Sequence, residues 1–157
     1  MKQTAVDELY IRNGDDIVPA PELDLIVARG YADWAFKGEV IEGRSITIMA
    51  ADKVYKTGEK IHIIHVMEAV TPGIKVFVMG PKEIFDEYLD GKLQGSSLPE
   101  TEHPFNPLEY DGQVVNSPWI DFNYDISIYS FDEPGRYMLI WQPGKWKSNT
   151  LEILVEK

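Results

Sequence analysis

The sequence predicts an all-β protein, a two-sheet antiparallel sandwich with one short helix and a long ordered loop. Roughly eight short segments rich in β-branched and aromatic residues are separated by Gly and Pro turns. Residues 120–129 alternate apolar and polar side chains, which is typical of a half-buried antiparallel strand. Only residues 81–91 have a helical pattern. The chain of 157 residues has the length of one domain, so we expect a single sandwich domain over residues 1–157.

Two predicted strands, residues 61–69 and 74–79, organise the chain. Between them Thr71, Pro72 and Gly73 supply a reversal, because Pro fixes φ and Gly tolerates positive φ. We therefore expect the two strands to pair with each other. The run HIIHV at residues 62–66 is apolar on both faces, which predicts a central strand covered on two sides.

Alternation and turn signals place the other elements. Further strands are predicted at residues 9–11, 23–28, 45–50, 120–129, 136–142 and 150–155. The side chains expected in the core are Ile63 or Ile64, Phe77, Ile126, Tyr137, Leu139 and Ile153.

Two segments lie outside this strand pattern. Residues 1–22 form an extended N-terminal segment, and residues 81–118 form an insertion of a helix followed by a long loop. Pro81 at the start, early acids and Gly91 at the end predict the helix. The loop, residues 92–118, has four prolines and no periodicity, and we expect it to be ordered by Phe105, Leu108 and Tyr110.

Two short motifs resemble a known family. YKTGEKI at residues 55–61 resembles the entry to the second strand of bacterial immunoglobulin-like and macroglobulin-type modules. DEPGRY at residues 132–137 resembles the turn and tyrosine that open a late strand there, and Tyr137 is similar to a tyrosine corner. The resemblance covers about residues 45–80 and 118–157, with Leu139 where a true immunoglobulin domain has its second Cys. It implies an immunoglobulin-like sandwich and no particular activity.

The composition of the chain limits the classes of partner that we expect it to bind. The formal net charge is −11 and the pI is about 4.6, and Lys and Arg form no cluster, so we expect no nucleic-acid partner. No apolar run approaches the roughly 20 residues of a membrane-spanning helix, so we expect no membrane insertion. The absence of Cys excludes disulfides and zinc–thiolate sites. Since no signal sequence opens the chain, we expect a cytoplasmic protein or a mature exported fragment.

Metal sites receive little support. His62 and His65 point to opposite faces of a strand, so we expect them to have separate partners. The alternative pairs one of them with His103 and a carboxylate around a single metal ion. Asp121, Asn123 and Asp125 follow one predicted strand face and are able to offer oxygens to Ca²⁺, but a solvated polar face is the expected arrangement. We therefore expect no cofactor.

The aromatic residues give the main indication of function. No nucleophile elbow or phosphate-binding loop is present, so no catalytic residue is predicted. Exposed aromatic rings stack on sugars or anchor protein partners. Trp141 is expected in the core, whereas Trp146 is left open between core and surface. The candidate ligand-binding residues are His65, His103, Phe105, Tyr110, Trp119 and Trp146.

Two functional hypotheses follow. The first is a non-catalytic binding or structural module that recognises a protein or carbohydrate partner. The alternative is a small enzyme or small-molecule-binding protein with an aromatic-lined pocket under residues 81–118. In both cases we expect any ligand site beneath residues 92–118, against the end of the strand that holds His65 or the turn before Arg136, because loops on a rigid scaffold commonly bind ligands. The alternative is that this segment is a cover that only shields apolar surface of the sheet. The sequence does not specify an oligomeric state.

Overall fold

One strand, β5, lies at the centre of the fold and pairs along both of its edges. The computed structural model describes residues 6–107, 110 and 112–157, and the structural statements below concern these residues. They contain thirteen strands, the helix α1 (Glu22–Arg29) and a 3-10 turn (Tyr31–Asp33). The strands are β1 (Tyr10–Asn13), β2 (Asp16–Pro19), β3 (Arg44–Met49), β4 (Val54–Lys56), β5 (Ile61–Ala69), β6 (Lys75–Phe77), β7 (Glu87–Leu89), β8 (Lys92–Gln94), β9 (Val114–Asn116), β10 (Trp119–Asp121), β11 (Ser127–Tyr129), β12 (Gly135–Trp141) and β13 (Leu151–Glu156).

The first sheet is built on β5. Strand β3 runs antiparallel along one edge, with Arg44 opposite Ala69. The other edge of β5 pairs with β10 near its end and with β11 near its start. Within β5 only His62 and Glu68 are partly exposed, and the other seven residues are buried. The predicted central strand, covered on both faces, is confirmed.

The second sheet has the order β4-β13-β12-β7-β8. Its pairs are antiparallel except that of β4 with β13, which is parallel. Strands β1 and β2 form a separate hairpin, and β6 pairs with β9. The prediction of a mostly β chain with antiparallel sheets and one helix is confirmed, and strands β3, β5, β12 and β13 lie where the alternation predicts them.

Two apolar clusters pack against opposite faces of the first sheet. Because neighbouring strand residues point to opposite faces, Ile63 joins one cluster and Ile64 joins the other. The larger cluster contains residues of both larger sheets, such as Ile63 in β5 and Leu139 in β12. The smaller cluster includes Ala28 of α1 and Tyr31, so the helix covers the outer face of the first sheet.

The core prediction is correct for most positions. The buried ones are Ile63, Ile64, Ile126, Leu139 and Ile153. Phe77 and Tyr137 are only half-buried, so their predicted burial is wrong. Phe77 borders a cavity, and Tyr137 stacks on Phe131 with 3.8 Å between ring centroids.

The helix forms at Glu22–Arg29, where the sequence predicts a strand over residues 23–28. Pro21 precedes it, acids lie in its first turn and a basic residue lies in its last, which suits the helix dipole. Asp24 on the buried side is hydrogen-bonded to His62 Nδ1 at 2.8 Å. The strand prediction is wrong because a short apolar run does not distinguish strand from helix.

Residues 81–91 do not form the predicted helix. Asp86 and Asp90 have φ of 60° and 48°, which interrupts any helix. The Asp86 carboxylate instead accepts hydrogen bonds from Ser97 Oγ at 2.6 Å and Leu98 N at 2.9 Å. A helix this short needs docking to persist, and the pairing of β7 with β12 outweighs its propensity.

The predicted pairing of residues 61–69 with residues 74–79 is also wrong. The reversal forms, with Gly73 at φ 90°, but β6 leaves β5 and pairs with β9. Both edges of β5 are already occupied by β3, β10 and β11. Ser117 Oγ accepts from Ile74 N at 2.8 Å and donates to Thr71 O at 2.5 Å, which fixes the turn against the segment after β9.

The ten-residue strand predicted at residues 120–129 is interrupted. Its ends form β10 and β11, but Asn123 N donates to Asp121 Oδ1 at 2.9 Å and the chain turns between them. As a result Tyr124 joins the larger cluster and Ile126 the smaller, although alternation predicts one shared face. Ile128 is 47% exposed.

Candidate functional site

A cavity of about 450 Å³ is lined by residues 98–107, a segment called the strap below. Three groups of residues contribute to its lining. The first comes from β5, the end of β10 and Tyr124. The second lies within residues 77–85, and the third is the strap together with Tyr110. Its volume lies within the roughly 300–1,000 Å³ of small-molecule sites. Leu108, expected to order this region, lies outside the described residues.

Most of the lining is apolar. The aromatic members are Phe77, Phe85, Phe105, Tyr110 and Tyr124. Phe77 and Tyr110 meet edge to face, with ring centroids 4.9 Å apart. The Tyr110 hydroxyl accepts from Met79 N at 2.8 Å and donates to Gln113 O at 2.6 Å. These two bonds fix this ring beside the β6–β9 pair, so part of the aromatic wall is preorganised.

An ion pair of Lys82 and Asp121 also borders the cavity. Lys82 Nζ donates to the carbonyl oxygens of Phe77 at 3.0 Å and Met79 at 3.1 Å. It also forms an ion pair with Asp121, whose Oδ2 lies 2.9 Å away. The same ammonium lies 4.6 Å from the centroid of the Tyr124 ring. Lys82 therefore ties residues 77–79 to the end of β10.

Burial shifts the titration of this pair. It lowers the pKa of Lys82, although attraction by Asp121 opposes the change. It raises the pKa of Asp121, although Lys82 and the hydrogen bond from Asn123 oppose that change. Burial also raises the pKa of Tyr124 well above its ordinary value, so its hydroxyl is neutral. Perturbed groups gathered at a cavity are typical of functional sites and of structural ion pairs.

The strap is held down by a cluster of aromatic rings and one arginine. Phe105 packs edge to face on buried Trp146, with ring centroids 5.0 Å apart. Trp146 Nε1 donates to Ile41 O at 2.9 Å. The Arg44 guanidinium lies 5.7 Å from the centroid of Phe105 and donates to Asn106 Oδ1 at 3.0 Å. The strap therefore contacts β3 and the turn before β13 through two consecutive residues.

Arg44 is an unusual buried charge. It is 7% exposed, it has no carboxylate partner within the described residues, and its Nε has no hydrogen-bond partner there. Burial lowers the pKa of Arg44, while Tyr124 and Glu42 act in the opposite direction. The aromatic face of Phe105 offsets part of the cost of this burial.

His103 presents a neutral ring. Its Nδ1 accepts from Phe105 N at 3.0 Å and Asn106 N at 3.1 Å, so Nδ1 is unprotonated and the ring proton lies on Nε2. Burial and the positive charge of Arg44 lower the pKa of His103, and Glu42 opposes them. His103 therefore adds a hydrogen-bond donor to the lining of the cavity and no positive charge at neutral pH.

A second polar network lies in the core. Glu87 Oε1 accepts from Tyr129 Oη at 2.5 Å, and Glu87 Oε2 contacts His65 Nε2. The His65 and Glu87 side chains are 0% and 2% exposed. Burial by itself acts to raise the pKa of Glu87. Attraction by His65 and hydrogen bonds from His65, Tyr129 and Ser127 lower the pKa by more than burial raises it. The net shift is downward, so the carboxyl is ionised at neutral pH.

This network joins the two larger sheets. His65 Nδ1 lies 3.0 Å from Asp125 O, so both ring nitrogens face an oxygen atom. The result is a buried histidine–carboxylate pair between β5 and β7. A cleft of about 420 Å³ reaches Glu87 and Tyr129, but their polar atoms already have partners. The network therefore fits a structural role.

Three of the six candidate ligand residues come together, since His103, Phe105 and Tyr110 line the cavity. Trp146 does not line the cavity; it packs on Phe105 and is 2% exposed. Trp119 borders a separate cleft of about 280 Å³. His65 belongs to the core network. Trp141 is buried, as predicted.

The predicted acidic face does not form, because β10 ends at Asp121. Asp125 pairs with Arg12 at 2.6 Å, and Asn123 Nδ2 donates to Val78 O. His62 and His65 have separate partners, as predicted. In the described ranges no group of three or more His, Asp or Glu side chains is arranged to hold a metal ion.

Sequence reasoning missed Lys82, Glu87 and Arg44. An isolated charged residue gives no sign that it will be buried, and Lys82 and Glu87 lie in the segment interpreted as a helix. One signal was available for Arg44. It lies two positions before Ile46 in β3, which places it on the same inward face.

Comparison of the chain with known protein families, with curated proteins and with solved structures finds no match. Across the described residues, no helix has both the length and the apolar character needed to cross a membrane.

Proposed function

We propose that the protein binds a small organic molecule in the cavity lined by the strap. The supporting observation is an aromatic-lined cavity of about 450 Å³ in which the donors and charges of His103, Lys82 and Asp121 converge. Small-molecule sites commonly combine apolar walls with a few fixed polar groups. The strap is anchored at Phe105 and Asn106, so the walls are held in place before a ligand arrives.

A protein partner is the second candidate. Trp146 and Trp141 are buried, so neither offers a face for stacking on a sugar ring. A groove of about 780 Å³ next to Trp34 and Phe36 is more suitable for a partner, because Phe36 is 74% exposed. We rank it second because fewer aromatic rings line it.

Filling the cavity should weaken ligand binding. Water-soluble aromatic fragments, screened by ligand-observed NMR, are expected to bind the wild-type protein. Met79, which is 50% exposed, borders the cavity, and Met79→Trp should lower their affinity at least about tenfold by occupying the space.

Met138→Trp is the matched control, because Met138 is 41% exposed on β12 and does not border the cavity. Its fragment affinities should equal those of the wild type. Equal binding by both variants would place the fragments elsewhere and remove the proposal.

We also propose that the two larger sheets form one immunoglobulin-like sandwich. Two observations support it: both sheets share the larger apolar cluster, and Tyr137 Oη donates to Glu133 O at 2.7 Å, as in a tyrosine corner. Methyl–methyl nuclear Overhauser effects are expected between Ile46 or Ile48 of β3 and Leu139 of β12. Their complete absence in an otherwise assigned spectrum would contradict the sandwich.

A further inference from the structure

The charges around the cavity are unevenly distributed. Its charged lining residues are Lys82, Glu83, Glu102 and Asp121. Lys82 is engaged by Asp121 and by two backbone carbonyls, so this pair is internally balanced. Glu83 and Glu102 are exposed, and within the described residues their carboxylates make no ion pair or hydrogen bond. The remaining charge at the cavity is therefore negative.

The walls are suited to a positive charge as well. Five of the lining residues are Phe or Tyr, and aromatic faces attract organic cations through their quadrupole. His103 is neutral at neutral pH, so it does not repel a cation. The net charge of −11 attracts cations over a longer range.

Arg44 is the opposing charge. Its guanidinium lies against the Phe105 ring, and the residue is not part of the lining. Burial lowers the pKa of Arg44, and attraction by Glu42 opposes this change. The two free carboxylates of Glu83 and Glu102 belong to the lining itself and therefore act on a ligand more directly.

From this arrangement we infer that the cavity binds an organic cation, an alkylated ammonium group attached to an apolar or aromatic body. The inference rests on the proposed small-molecule function and narrows it to one ligand class. The apolar body lies among Phe77, Phe105 and Tyr110, while the ammonium group is held by the aromatic faces and by Glu83 and Glu102.

Three probes of similar size test the charge. Benzyltrimethylammonium is the cation, neopentylbenzene is its neutral isostere, and 3-phenylpropionate is an anion. Titration followed by protein NMR should give about tenfold tighter binding for the cation than for the neutral isostere. The double variant Glu83→Gln/Glu102→Gln should lower the affinity for the cation at least about threefold, because the aromatic faces remain, and leave neopentylbenzene binding unchanged.

A control variant separates a specific site from general attraction by an acidic protein. Asp132→Asn/Glu133→Gln removes the same number of negative charges from an exposed turn. It should preserve the tenfold preference for the cation. A matching loss in this control would reduce the effect to net charge and overturn the inference.

The other outcomes distinguish the two proposals. Equal affinity for the cation and neopentylbenzene, with both blocked by Met79→Trp, would overturn the cation inference and support the small-molecule function. Tighter binding of 3-phenylpropionate would overturn it in favour of an anion attracted by Arg44. Absence of binding by all three probes and by the fragment set would remove both proposals.

Discussion

Glu87→Ala should lower the free energy of unfolding by about 3–5 kcal/mol. The substitution leaves the ring of His65 buried without its carboxylate partner and removes the acceptor of the Tyr129 hydroxyl. Breaking a buried pair by removing one partner is far more costly than losing a surface pair. Urea unfolding at neutral pH, followed by fluorescence, measures the difference.

The control for this variant is an exposed pair. Arg136 Nη1 lies 3.4 Å from Glu152 Oε1, with side chains 76% and 51% exposed. Glu152→Ala should therefore change stability by less than about 0.5 kcal/mol. A similarly small loss for Glu87→Ala would mean that the pair contributes no net stability to the fold.

The same pair should make stability depend on pH. The pKa of Glu87 is lower in the folded protein than its ordinary value of 4.5. A carboxyl group with a lowered folded pKa stabilises the protein above its unfolded pKa, and this contribution is lost as the pH falls through the folded pKa. Between neutral pH and a pH below 4.5, the wild type should therefore lose more stability than Glu87→Gln does.

Trp146→Ala should cost about 3–5 kcal/mol, the usual range for truncating a buried large aromatic residue. Trp146 is 2% exposed and contacts both Phe105 and His103, with ring centroids 5.0 and 5.3 Å away. It also donates to Ile41 O, so its removal leaves that carbonyl without this donor. Chemical denaturation gives the global loss.

Hydrogen exchange locates the damage. If Trp146 anchors the strap, amides in residues 98–107 should exchange faster in Trp146→Ala, by more than the global loss of stability explains. Phe36→Ala, a truncation at 74% exposure, should leave both stability and exchange within error of the wild type. Unchanged exchange in the strap of Trp146→Ala would show that Phe105 and Arg44 hold it without the indole.

Sequence reasoning located strands better than their partners. Strand β5 was predictable because its apolar run is covered on both faces. Strand β3 was predictable from alternation in its sequence, although all of its residues are buried. In β12 and β13, burial on one face imposes a period of two on the side chains. The pairing of the strands was not predictable in the same way. Strand β5 pairs with β3, β10 and β11, and β6 pairs with β9. The turn at Gly73 is also compatible with a hairpin of β5 and β6. That hairpin does not form because β3, β10 and β11 already occupy both edges of β5.

The candidate site was predictable in outline only. Aromatic residues in a long proline-containing segment indicated that His103, Phe105 and Tyr110 belong together, and all three border the cavity. The charged members Lys82 and Asp121 were not predictable as a pair. Their contact depends on the turn after β10, which interrupts a run that alternates perfectly in sequence.

The parallel pairing of β4 with β13 also affects how fast the protein can fold. It places Tyr55 beside Val155, so roughly a hundred residues of chain must be closed into a loop before this edge of the second sheet exists. Native contacts of such long range give a high contact order, and domains of that kind fold in milliseconds to seconds. During synthesis, β4 must wait for residues 151–156 to leave the ribosome. Until then Val54 and Tyr55 present apolar side chains without their partner strand, and a chaperone that covers them would act in this interval.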